Sequence, residues 1–132
     1  MTTEKDRVLE ETTRIRGFRY GLHDFLAETD LEALKRVNRQ VASDYIKESL
    51  LDRKTKELLI IVACIAEKDE VPHLQVHMHA AANAGASQEE ILEAINLVGG
   101  WVGSVARARG LEAWRATFRP DLPTIERVVE LK

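Results

Sequence analysis

Apolar residues recur every three or four positions along most of the chain, and no convincing alternating strand pattern competes with them, so the pattern predicts an all-α protein. A first helix runs through Val8 to Ile15 and ends near Gly17. Thr29-x-x-Glu32 reads as a capping box opening a second helix, in which Leu31, Leu34, Val41 and Tyr45 form one apolar stripe. A third runs from about Asp52 to Lys68, and its stretch Leu58 to Ala66 is apolar on every side, as expected of a central helix surrounded by others. Pro72 suits the first turn of a fourth helix, which Gly85 is placed to close in a left-handed cap. Ser87-x-x-Glu90 caps a fifth with Ile91, Ile95 and Val98 on its inner face, and Gly99-Gly100 is expected to interrupt it. Trp101, Val105, Ala108, Leu111, Trp114 and Phe118 continue at helical spacing until Pro120 and Pro123. The tail Ile125 to Leu131 reads as a short docking helix. With no repeat, low-complexity tract or linker, residues 1–132 are expected to form a single domain of about six helices.

Composition narrows the partners. The net charge of -3 provides no positive field for nucleic acid or anionic lipid, so neither is an expected partner. Cys64 is the only cysteine, which rules out an intrachain disulfide and makes a reducing cytoplasm the simplest location. The start lacks an apolar signal segment, and Leu58 to Ala66 is far short of the ~20 apolar residues that cross a bilayer. A cytoplasmic protein without membrane attachment is expected.

The chemistry concentrates in Glu70-Val-Pro-His73-Leu-Gln-Val-His77-Met-His79, which holds three of the four histidines. Each can act as acid, base or metal ligand near neutral pH. His73 and His77, four apart, share a helical face, whereas His79 lies about 200° around from His77. Glu57 opens the buried third helix, where a carboxylate must be paired or protonated; its bland alternative is an exposed first-turn residue pairing with Lys54 or Arg53. Glu70, His73 and His77 could form a two-histidine, one-carboxylate metal face, but Pro72 places Glu70 ahead of the regular helix. No metal and no cofactor are therefore expected. Arg107 and Arg109 could bind a substrate carboxylate, against the plainer reading as a wet helix face, and Trp101 could wall the pocket. His23 is expected to be solvated and Cys64 structural.

Arg53-Lys-Thr-Lys-Glu57-Leu-Leu, His77 eight residues before Gly85, and Gly85-Ala-Ser-Gln-Glu-Glu-Ile-Leu-Glu-Ala resemble, in that order, the carboxymuconolactone decarboxylase family, whose wider fold includes the AhpD alkylhydroperoxidase proteins. The resemblance covers roughly residues 28–115. It implies an AhpD-like helical domain assembling as a trimer or hexamer, with a pocket where the helices of Glu57 and His77 meet a neighbouring subunit. The peroxidase branch requires Cys-x-x-Cys-x-x-x-His, and Glu70 and His73 stand where those cysteines would be, so thiol peroxidase chemistry has no nucleophile. Gly100-Trp101-Val102-Gly103 also departs from the family's usual Gly-aromatic-Pro-Ala.

The resemblance thus implies a cofactor-independent carboxy-lyase of aromatic compound catabolism, acting on a small carboxylated lactone or related carbonyl acid. His77 is the expected proton shuttle, Glu57 its orienting partner and His73 a further catalytic residue. Trp101, Arg107 and Arg109 are the substrate-binding candidates. Two alternatives stand beside it: a non-catalytic oligomeric module that binds a small molecule or scaffolds a complex, and a metal-dependent enzyme using His73 and His77.

Overall fold

In a computed structural model describing all 132 residues, the chain is all-helical, in keeping with an AhpD-like domain. The helices are α1 (Glu4–Arg16), α2 (Gly21–Thr29), α3 (Leu31–Val41), α4 (Arg53–Ala66), α5 (Val71–Asn83), α6 (Gln88–Val102) and α7 (Ser104–Phe118), and α3 runs on into a wider π-type turn, Ala42–Ile46. They fall into two compact units, Met1–Arg53 and Lys54–Lys132. No helix is long and apolar enough to cross a membrane.

In the first unit, α1, α2 and α3 pack on one another. Thr3 and Asp6 cap α1 reciprocally, and Gly17 closes it at φ 81°. The interior holds Ile15, Ala27 and Leu34, with the polar Thr12, His23 and Asn38 buried among them. The Thr12 hydroxyl donates to the Asn38 side-chain oxygen at 3.0 Å, joining α1 to α3. Two sequence expectations change. The cap of α3 is Asp30, whose carboxylate accepts from the Ala33 N–H, while the Thr29 hydroxyl turns back to the Phe25 carbonyl. His23 belongs to the additional helix α2 and is buried, its Nδ1 accepting from the Tyr20 N–H at 3.3 Å and its ring edge-on to Tyr20. Burial depresses its pKa, with the Arg16 charge acting in the same direction.

The second unit is built on aliphatic packing. Ile61 and Ile65 from α4, Leu74 and Met78 from α5, and Ile91 and Ile95 from α6 are fully or almost fully buried together, with Ala106 and Ala113 of α7 closing the cluster. Gly110 lets α7 approach, since a Cβ there would stand 3.0 Å from both Ile65 Cδ1 and Ile95 Cγ2. Ser87 and Glu90 form the expected capping box on α6, and Gly85, at φ 98°, follows α5 where it was expected to close it.

Three features differ from the sequence reading. α6 passes through Gly99-Gly100 and stops at Gly103, whose φ of 104° breaks the helix. Gly99 is retained inside the helix because the Arg107 side chain crosses it, so that a Cβ at this position would stand only 2.5 Å from the Arg107 Nε. α4 is buried along one face only: Leu59 on the opposite side is 52% exposed, so within the chain it is not encircled. The segment after Phe118 forms no helix; it is tied down by the Arg115 guanidinium donating to the Leu122 carbonyl and the Ile125 N–H donating to Glu112.

Candidate active site

α4 and α5 form a helical hairpin joined by a short turn. Lys68 adopts the left-handed conformation at φ 58°, and the Asp69 N–H returns to the Cys64 carbonyl at 3.1 Å, which ends α4 tightly. From α7 the Arg109 guanidinium donates to the Lys68 carbonyl at 2.7 Å and lies 3.7 Å from Glu70. Pro72 in the first turn of α5 then starts the helix that carries the histidines.

The shared face expected for His73 and His77 is realised as direct contact. Their Nε2 atoms are 2.7 Å apart, and the rings stack with centroids 4.7 Å apart at 26°. At that separation one nitrogen donates and the other accepts, so the pair holds a proton between its rings. His73 is exposed and His77 partly buried, which gives the pair an outer and an inner member. His79 faces solvent.

Glu57 is completely buried, which removes the exposed first-turn reading, and Lys54 forms an ion pair with Glu90 at 3.0 Å. Seven residues, or nearly two whole turns, separate Glu57 from Cys64, so both lie on the same face of α4. Cys64 is itself buried, and one ligand atom each from Cys64, His73 and His77 lies within 4.8 Å of the others. Burial pushes the Cys64 thiol up to about 12, with a hydrogen bond to the Asp69 carboxylate and its charge adding to the effect. Such a thiol is a poor nucleophile. Cys64 is the member of this cluster that sequence reasoning missed, because nine residues and a helix reversal separate it from His73.

The substrate-binding candidates do not converge. Arg107 and Arg109 are about 200° apart on α7. The first lies against Gly99 with its Nε buried and without a hydrogen-bond partner, while the second holds the α4–α5 turn. Arg109 also lines a cleft of about 320 Å³ with Val71, Val105, Ala108, Glu112, Thr124 and Glu126. Trp101 is 89% exposed within the chain. Glu70, proposed by spacing as a carboxylate beside the histidines, points to Arg109 and not into the Cys64 cluster.

No curated protein and no solved structure matches the chain. The model of the carboxymuconolactone decarboxylase family matches residues 31–116, covering the α4–α5 hairpin and the capping box of α6. With most of its length matched, the chain belongs to the carboxymuconolactone decarboxylase family.

Proposed function

We propose that the protein is a cofactor-independent carboxy-lyase for a small carboxylated lactone or related carbonyl acid, with His77 as proton shuttle. The observation that carries this reading is the 2.7 Å contact between His73 and His77. Loss of carbon dioxide from such a substrate leaves a dienolate that must be protonated on carbon. A histidine that already shares a proton with a second, solvent-exposed histidine can deliver it and be reprotonated from outside. Glu57, buried on the neighbouring helix, is assigned to orienting the shuttle and balancing its charge. His73 is the relay to solvent. Glu70 and His73 occupy the positions of the peroxidase cysteines, which favours this chemistry over thiol exchange.

The test is turnover on a panel of carboxylated lactones and keto acids. His77→Gln is expected to lower kcat about 10²-fold or more, and His73→Gln less. Glu57→Gln, which keeps the shape and removes the charge, should also lose turnover while retaining fold. Unchanged turnover in His77→Gln and Glu57→Gln would assign both residues to structure, and substrate binding without turnover in the unmutated protein would favour the binding-module alternative.

We also propose a homo-oligomer, a trimer or hexamer. Leu97, Trp101 and Val105 expose apolar surface on α6 and α7, and Leu59 does so on α4. Sedimentation at micromolar concentration is expected to give a multiple of the 14.9 kDa chain, and a monomer would overturn the assembly.

A further inference from the structure

We propose that Cys64, His73 and His77 form a binding site for a zinc-class divalent cation. One donor atom from each lies within 4.8 Å of the others, across the α4–α5 hairpin. The donor set is one thiol and two imidazoles, the ligands preferred by borderline-soft cations over calcium or magnesium. A tetrahedral cation takes nitrogen ligands at about 2.0–2.1 Å, which sets two such nitrogens roughly 3.3 Å apart. The Nε2 atoms of His73 and His77, at 2.7 Å, need to open by only about 0.6 Å to meet that spacing. His73 is exposed, so its ring can make this movement and the cation has a path from solvent.

The site is seated on rigid structure. Cys64 and the first turn of α5 flank a link pinned by the Arg109 guanidinium on the Lys68 carbonyl, and the Asp69 N–H is bonded to the Cys64 carbonyl. With His73 exposed, water can supply the fourth ligand. On binding, the Cys64 thiol releases its proton to solvent and coordinates as thiolate, and each histidine contributes a neutral nitrogen. The Asp69 carboxylate, which accepts the thiol's hydrogen bond in the metal-free protein, is then available to the coordinated water or to the cation itself.

This inference rests on the proposed function in one respect only. Coordination occupies the nitrogen of His77 that proton transfer requires, so the filled site switches the shuttle off. The same three side chains then offer a means of regulation by metal supply instead of a catalytic metal.

Cobalt(II) tests binding without reference to turnover. Titration of the reduced full-length protein with cobalt(II) is expected to give one ion per chain, the intense visible bands of a four-coordinate centre and a near-ultraviolet thiolate-to-cobalt charge-transfer band. Cys64→Ser should abolish the charge-transfer band, and His73→Ala, an exposed change checked for fold by circular dichroism, should weaken cobalt binding at least 10-fold. Zinc should displace cobalt and, in a turnover assay, inhibit the unmutated enzyme but not His73→Ala to the same degree. Absence of the charge-transfer band in the unmutated protein, or cobalt affinity unchanged in a folded His73→Ala, would overturn the site. Either result leaves the proton-shuttle assignment to stand or fall on its own variants. Cobalt binding without inhibition by zinc would keep the site and remove its regulatory consequence.

Discussion

The two compact units hold their helices together by different means. The interior of Lys54–Lys132 is a continuous aliphatic cluster of Ile61, Ile65, Leu74, Met78, Ile91 and Ile95, in which shape alone decides the fit. The interior of Met1–Arg53 has little of this: Leu34 is its one completely buried large side chain, and a polar pair, Thr12 with Asn38, joins α1 to α3. Aliphatic burial is tolerant of direction and strong per residue, whereas a buried hydrogen bond contributes modestly when made and costs more when half of it is lost. The unit that carries the candidate chemistry is thus the one whose packing least depends on polar partners.

The largest expected effect that separates the two comes from Ile95→Ala. Ile95 is fully buried and touches the close approach of α7 at Gly110, so the change should cost about 2–5 kcal/mol in urea unfolding. A loss below about 1 kcal/mol would mean that the cluster collapses around the gap and is not close-packed.

An intermediate effect is expected where the first unit relies on a polar pair. Asn38→Ala removes the side-chain bond between α1 and α3 while the Thr12 hydroxyl keeps the Val8 carbonyl as acceptor at 2.9 Å, and should cost about 0.5–1.5 kcal/mol. The double variant Thr12→Val, Asn38→Leu removes both partners together and should be less destabilised than the single change. Losses that simply add in the double variant would show that the two side chains act independently and that their bond carries no coupling energy.

These elements differ in how far the chain reveals them. The Ser87 and Glu90 box, the Gly17 and Gly85 closures and the inward Ile91 and Ile95 are legible because each depends on residues within one or two turns. The pairing of His73 with His77 is equally local. Cys64 escapes because only the reversal between α4 and α5 brings it to them, and Gly99-Gly100 misleads because packing against Arg107 outweighs the poor helix propensity of glycine. The docking tail misleads for a similar reason. Its apolar residues repeat suitably, but Arg115 and Glu112 hold the chain at Leu122 and Ile125 in an irregular path.

The smallest expected effect is the pH response of the first unit. Because the folded-state pKa of His23 lies below its ordinary value near 6.5, the unfolded chain takes up the proton first as pH falls. The contribution of His23 is therefore intact above about pH 6.5 and is lost progressively on acidification. Melting temperatures followed from pH 7.5 to about 5 should fall less in His23→Gln than in the unmutated protein. Parallel curves for the two proteins would remove His23 from the acid response.

The π-type turn at Ala42–Ile46 has a bearing on how relatives of this chain are to be aligned. A turn closed five residues on instead of four accommodates one residue more than a regular helix over the same rise. A homologue shorter by one position can therefore continue α3 as ordinary α-helix through this stretch and keep every side chain of Leu31–Val41 in phase. A single gap is best placed within positions 42–46, where the winding absorbs it, and not within the regular helices on either side.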